Sequence, residues 1–253
     1  MNLGHLTARR LKVFIQQPAF LLITLVQPAI WLFLFGNLFR RIVELPGFGG
    51  GSYLDYLIPG VVVMSAVSSS MWSGMGVLEE IDRGTMNRFL ITPVGRGAIL
   101  NAVVIEQAIS VAIQSVIIVL LGLAAGAGYP GGFTGVVLLV LAATLLGVVF
   151  SALSNTAGML VRQRETIIGL NTLLLLPLTF LSSAFVAAGL MPGWMQAVAQ
   201  GNPVNWALKA SRATLAADPD WGTIGTYGGA LLALAAIMLW LSTRTFRSYQ
   251  KSV

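Results

Sequence analysis

Six apolar runs, each close to the length that crosses a bilayer, alternate with short polar connections along the chain. They cover about residues 19–39, 57–78, 99–125, 133–161, 167–189 and 224–243. A helix needs roughly 20 predominantly apolar residues to cross a hydrocarbon core of about 30 Å. The fourth run is long for one crossing and is expected to tilt or to extend past the bilayer. No Gly/Ser linker or low-complexity tract divides the runs, so the pattern predicts one all-α membrane domain over 1–253 with six transmembrane helices. Ahead of the first run, residues 1–17 place Leu3, Leu6, Leu11 and Phe14 roughly on one helical face, with Arg9, Arg10 and Lys12 elsewhere. That predicts an amphipathic helix lying in the membrane interface, its basic stems snorkelling to headgroups. The run that follows lacks an A-x-A-like cleavage site and reads as a retained anchor rather than a removed signal.

Composition strengthens the membrane assignment. The chain is 56% hydrophobic and 9% charged, with a mean hydropathy of +0.83, more apolar surface than a soluble domain of this size can hide. The net charge of +6 fits basic cytoplasmic loops facing acidic lipid headgroups, not nucleic-acid binding. With cysteine absent from the sequence, disulfides, zinc–thiolate sites and thiol nucleophiles are excluded. If the N-terminus is cytoplasmic, that side holds Arg9, Arg10, Lys12, Arg83, Arg88, Arg96, Arg162, Arg164, Arg244, Arg247 and Lys251. The other side holds Arg40, Arg41, Lys209 and Arg212. Eleven against four places both termini inside, although Arg40 and Arg41 pull the other way.

Against this background the connection 79–98 stands out. Glu79, Glu80, Asp82, Arg83, Arg88 and Arg96 carry a quarter of all the charged side chains. Gly84 can end the helix arriving from the membrane and Thr85 can cap a new one. Met86, Phe89 and Leu90 then supply about two turns with apolar knobs, and Pro93 biases Thr92 away from helical geometry. A short helix with knobs and flanking charges makes a docking surface. On the opposite side, residues 190–223 are too apolar for a free loop, with Trp194, Met195, Val198, Trp206, Leu208 and Leu215. They predict two short helices in or dipping into the outer interface, broken at Gly201–Pro203.

Enzyme chemistry finds no footing. The three lysines lack a glycine-rich context, so the chain has no P-loop of its own. His5, the single histidine, lies outside the runs, and no metal-ligand spacing is present, so no catalytic or metal residues are assigned. Polar residues inside the runs are costly and therefore informative. Glu106, Gln107, Ser110 and Gln114 lie near one face of the third run. They form a substrate-facing or proton-relay stripe, or else Glu106 sits near the cytoplasmic headgroups while the glutamines bond between helices. Asn155 and Asn171 line a cavity or cross-link helices. Ser65, Ser69 and Ser73, four apart, predict a thin face for close helix approach, as does the Gly122–Gly126 pair. An ion-coupled carrier would need a partner for Glu106 and a repeat between residues 1–125 and 126–253, and neither is evident in the sequence.

The segment "EEIDRGTMNRFLITPVGRGAIL" (79–100) resembles the stretch after the second membrane helix of type-2 ABC transporter permeases, carried here by Glu79, Glu80, Gly84, Thr85, Thr92 and Pro93. "GNPVNWALKASRATL" (201–215) is similar to that family's external segment through Asn202, Pro203, Lys209 and Arg212. The resemblance spans essentially the whole chain and is nearest to the daunorubicin-resistance type of drug and lipid exporters. One departure is Met86-Asn87 where the family commonly has Leu-Glu.

The resemblance implies that 79–98 is a coupling helix, with Glu79, Glu80 and Arg83 orienting it, Met86, Phe89 and Leu90 seating it in a separate P-loop ATP-binding subunit, and Arg88 among the contact residues. ATP and magnesium would sit on that partner, with no cofactor on this chain. It further implies a second permease copy, the same or a paralogue, and residence in a bacterial cytoplasmic membrane. Residues 190–223, with Trp194, Asn202, Pro203, Trp206, Lys209 and Arg212, would be external re-entrant helices. Glu106, Gln107, Ser110, Gln114, Asn155 and Asn171 are the candidate translocation path, its cargo an amphipathic drug-like or lipid-linked molecule. Two alternatives are an ion-coupled carrier using Glu106 and a polysaccharide exporter of the same family, with Trp31, Trp72 and Trp206 as sugar-stacking rings.

Overall fold

The computed structural model describes residues 25–44, 52–82, 96–161 and 163–249. In chain order the helices are α1 (Leu25–Leu38), α2 (Tyr53–Met71), α3 (Ser73–Asp82), α4 (Arg96–Ala124), α5 (Gly132–Val161), α6 (Arg164–Phe180), α7 (Gly193–Gly201), α8 (Pro203–Leu215) and α9 (Trp221–Tyr249). Among the described residues, four stretches are long and apolar enough to cross a membrane: Tyr53–Glu79, Asn101–Ala124, Gly132–Val161 and Trp221–Thr245. The expected interfacial helix at 1–17 lies outside the described residues, as do positions 19–24 of the first run. The described part of that run is α1, which widens to a π-turn over Trp31–Phe35.

The fold is organised around α5. At about 1.5 Å per residue its 30 residues span about 45 Å, and it packs against α2, α3, α4, α8 and α9. Leu139, Ala143 and Leu146 on α5 are fully buried, and they meet Leu57, Val62, Val63 and Val67 of α2 in two adjoining clusters. The outward faces of the helices stay apolar, as Leu141, Leu160, Leu173, Leu232 and Trp240 show. This is the distribution a lipid solvent demands, because hydrocarbon satisfies apolar side chains but no backbone groups.

The second run is divided at Trp72, where α2 ends and α3 begins. The packing of α3 on α5 explains why the chain has Gly74 there: a Cβ at this position would lie 2.2 Å from the Ser154 carbonyl oxygen. The Ser154 hydroxyl donates to the Met71 carbonyl and accepts from the Gly74 amide, so the helix junction leaves few orphan groups. Of the Gly122–Gly126 pair, Gly122 is at a close approach, 2.5 Å from Ile58 Cδ1 for an added Cβ, whereas Gly126 (φ +92°) turns the chain after α4.

The fifth run differs from its expected extent. Expected over 167–189, the helix is Arg164–Phe180, and residues 181–187 leave helical geometry. The physical reason is an alternative set of partners for the last carbonyls. Asn202 Nδ2 donates to the carbonyls of Leu178 (3.0 Å) and Leu181 (2.9 Å), while its Oδ1 caps α8 by accepting from Val204 N (2.9 Å). One carboxamide therefore ends α6 and begins α8. Two short helices, α7 and α8, lie within 190–223, separated at Asn202, and α9 already begins at Trp221.

The two ends of the bundle are distinguishable. Asp82 at the end of α3 pairs with Arg164 at the start of α6 (3.0 Å). At the opposite end Asp55 Oδ1 accepts from Gly128 N (2.8 Å), and Leu215 O accepts from Gly131 N (2.9 Å).

Candidate functional site

A cavity of about 770 Å³ lies between α1, α2, α3, α4 and α6. Its size falls within the range of small-molecule sites, roughly 300–1,000 Å³. One wall is polar: Ser65, Ser68, Ser69 and Ser73 from α2 and α3 face Glu106, Gln107, Ser110 and Gln114 from α4. The other wall is apolar and aromatic, with Trp31 of α1, Leu175, Leu176 and Phe180 of α6, and Phe185 just beyond it. Trp72, at the α2–α3 junction, also lines the space and is 48% exposed.

The polar wall forms because serine and glutamine recur at helical spacing on two facing helices. Gln107 Nε2 donates to the hydroxyls of Ser69 (3.4 Å) and Ser70 (3.3 Å), linking α4 to α2. The serine stripe was expected to be a close-packed face. Instead Ser65, Ser69 and Ser73 border the cavity, since their short side chains leave room that the neighbouring helices do not fill.

Of the six residues expected on a path, the structure brings together Glu106, Gln107, Ser110 and Gln114. Asn155 lies one layer behind: its Oδ1 accepts from the Ser73 hydroxyl (2.9 Å), and its Nδ2 donates to Ser151 Oγ (3.4 Å), which in turn bonds Ser73 (3.0 Å). It braces a lining residue rather than lining the cavity, because the α3–α5 contact covers it. Asn171 is 3% exposed and away from the cavity, with no hydrogen-bond partner among the described residues.

In the segment expected to dock a partner, Glu79 is exposed on α3. Glu80 is helical, and its side chain lies outside what the structure describes. Arg83, Gly84, Thr85, Met86, Arg88, Phe89, Leu90 and Pro93 lie outside the described residues.

The third group of expected residues sits around the end of α6. Trp194 is 64% exposed on α7. Pro203 takes the first turn of α8, where its missing N–H costs nothing. Trp206 Nε1 donates to Gln200 O (2.6 Å) and lies away from the cavity. Lys209 Nζ bonds the Tyr227 hydroxyl (3.0 Å).

Arg212 makes the densest contacts. Its Nη1 donates to Ser183 Oγ (2.9 Å), and its Nη2 reaches the carbonyls of Ser183 (2.7 Å), Ala184 (3.4 Å) and Tyr56 (3.4 Å). The guanidinium lies 3.7 Å from the centre of the Tyr56 ring, a favourable cation–π placement. Tyr56, Ser183 and Asn205 complete this network, and sequence reasoning missed them. Asn205 Oδ1 accepts from Ser183 Oγ (2.7 Å) and Ser183 N (3.3 Å). A signal existed in the Tyr53–Tyr56 spacing, which puts two hydroxyls on one helical face.

These placements can bind and orient a two-faced molecule. Comparison with known proteins adds the family. A model of the ABC-2 type transporter family matches residues 1–216. The daunorubicin resistance ABC transporter permease protein DrrB1 of Streptomyces coeruleorubidus is 29% identical over 251 residues, covering 98% of this chain and 86% of that protein. The inner membrane transport permease YadH of Escherichia coli (strain K12) is 25% identical over 230 residues, covering 85% and 84%.

Proposed function

The chain belongs to the ABC-2 type transporter family, whose members are membrane-spanning transport permease subunits, and from that premise we propose that it is the membrane subunit of an ATP-driven exporter. The observation that carries the cargo assignment is the two-sided cavity. Serine and glutamine hydroxyl and amide groups on α2 and α4 face Trp31, Phe180 and Phe185 across about 770 Å³. An amphipathic drug-like or lipid-linked molecule can satisfy both walls at once, with its polar edge hydrogen-bonded and its apolar face packed. The daunorubicin-resistance permease among the relatives supports the drug-like end of that range.

Power comes from a separate ATP-binding subunit seated on the coupling segment 79–98, with Met86, Phe89 and Leu90 as its apolar anchors. ATP and magnesium are held there. Two permease copies pair in a bacterial cytoplasmic membrane, each with six spans and both termini inside. The Asp82–Arg164 pair supports this topology, since it sets the end of α3 beside the start of α6, as antiparallel spans with cytoplasmic connections require. Movement at the coupling segment reaches the bundle through α3, which Gly74 and Ser154 hold against α5. A rigid connection of this kind transmits displacement instead of absorbing it.

Trp31 and Trp72 line the cavity and give the polysaccharide alternative its only foothold there, while Trp206 bonds Gln200 elsewhere. The test is uptake of daunorubicin into inverted membrane vesicles carrying the permease and its ATPase. Uptake should require ATP, resist a protonophore and survive Glu106→Gln. Uptake driven by a proton gradient without ATP, and abolished by Glu106→Gln, would establish the ion-coupled alternative.

A further inference from the structure

Residues 181–187 leave helical geometry between α6 and the Ala188–Leu190 turn, yet Ser182, Ser183 and Ala184 are buried. Buried irregular backbone must find partners for its polar groups. Here the partners are side chains. Ser183 O accepts from Tyr56 Oη (2.8 Å) and Arg212 Nη2 (2.7 Å), Ala184 O accepts from Arg212, and Phe185 O accepts from Tyr53 Oη (3.3 Å). The segment also rests directly on α2, where an added Cβ at Gly60 would lie 2.3 Å from Ala184 O.

This clamped backbone carries the Phe185 ring. The ring stacks on Trp31 at 4.8 Å, and both line the cavity. Beyond them the rings continue through Phe35, 5.8 Å from Phe185, and Phe39 to Tyr53, with centroid spacings of 5.5 and 5.9 Å. Those three rings do not line the cavity. They run towards the first residue of α2, the end where α6 also finishes. Aromatic contact therefore packs the space beyond Trp31 and Phe185 at that end, and the contact depends on the position of residues 183–185.

We propose that Phe185 is the closing side chain of the cavity's outer gate and that Arg212 is the positioning residue that latches it. The cavity's role as a cargo path and the word "outer" rest on the exporter function proposed above; the closure itself does not. One guanidinium on α8 holds two successive carbonyls and a hydroxyl of the gate segment, and it is bound to Tyr56 on α2 through the ring face. Its hold is all-or-none in character. A small displacement of α8 relative to α2 misaligns all of these donors together, and the segment keeps no helix or strand ladder to fall back on. Release lets Phe185 leave Trp31 and opens the cavity towards the α2 N-terminal end.

The absence of cysteine from the sequence makes the test clean. A single Ser65→Cys change places a thiol in the cavity wall. Its labelling rate by a membrane-impermeant methanethiosulfonate is measured in right-side-out and inverted vesicles, with neither cargo nor ATP present. In the Ser65→Cys parent, labelling from the outside should be slow. Adding Phe185→Ala, which removes the ring but leaves the latch atoms, should speed it about tenfold or more. Arg212→Lys, which keeps the charge but lacks the planar fork that spreads Nη1 and Nη2 over separate acceptors and lies on the Tyr56 ring, should do the same. Fast labelling from outside in the parent, or unchanged rates in Phe185→Ala, would overturn the gate. A rise with Phe185→Ala but none with well-folded Arg212→Lys would overturn the latch. Acceleration from the cytoplasmic side alone would overturn the outer assignment. Failure of ATP-dependent uptake would remove the exporter function without touching these rates.

Discussion

Asn202→Ala and Asn202→Asp together test whether one side chain joins two helix ends. Asn202 is 6% exposed and uses both ends of its carboxamide. Its Oδ1 caps α8 through Val204 N, and its Nδ2 satisfies the carbonyls of Leu178 and Leu181. Replacing an N-cap by alanine costs about 1 kcal/mol, and each hydrogen bond lost from a buried carbonyl costs about 0.5–1.5 kcal/mol. Asn202→Ala should therefore destabilise by about 2–4 kcal/mol, which near the middle of that range is about a hundredfold in the folding equilibrium. Asn202→Asp keeps the cap acceptor but loses both donors and turns a carboxylate towards two carbonyl oxygens. Its destabilisation should equal or exceed that of alanine, although aspartate is a good N-cap on an exposed helix. The assay is equilibrium unfolding by sodium dodecyl sulfate titration in mixed micelles, read by helical circular dichroism. An Asn202→Asp protein as stable as the unmodified one would refute the double-cap role, since it would show that the α6 carbonyls need no donor from this residue.

Two further outcomes follow from local geometry. Gly74→Ala puts a Cβ 2.2 Å from the Ser154 carbonyl and should destabilise by about 1–3 kcal/mol in the same titration, whereas Gly76→Ala, with open space around it, should cost nothing measurable. Asp220, exposed ahead of α9, has its carboxyl held below the usual range by bonds from the Thr223 hydroxyl and amide and from the Gly222 amide. A depressed carboxylate stabilises above its ordinary pKa and loses that contribution as pH falls through its folded value. Asp220→Ala should accordingly speed hydrogen exchange at Gly222 and Thr223 at neutral pH, and the difference from the parent should shrink on acidification.

The apolar pattern made the long helices legible, because a run of lipid-compatible residues has few alternatives to a helix. Periodicity within the third run also put Glu106, Gln107, Ser110 and Gln114 on one wall. Three features were hidden for identifiable reasons. The fifth run remains apolar through Val186, so hydropathy carries it past Phe180, and only a partner 22 residues further on, Asn202, ends the helix there. The serine stripe reads equally as a packing face or as a cavity wall, since small polar side chains permit both. What decides between them is the distance of the opposing helices, which is a tertiary quantity. The latch at Arg212 combines donors and acceptors from α2, the segment 183–185 and α8, three stretches whose proximity no local pattern encodes.

Docking of a separate ATPase through residues 79–98 is decided by affinity purification of the tagged chain from its host in mild detergent, with and without Phe89→Asp. A P-loop ATPase should be recovered with the unmodified chain at about one copy per permease. It should be lost from the Phe89→Asp chain, whose new charge would enter an apolar contact, while membrane insertion is unchanged. Recovery of no ATPase under conditions that preserve such complexes, or equal recovery with Phe89→Asp, would show that residues 79–98 do not dock an ATPase.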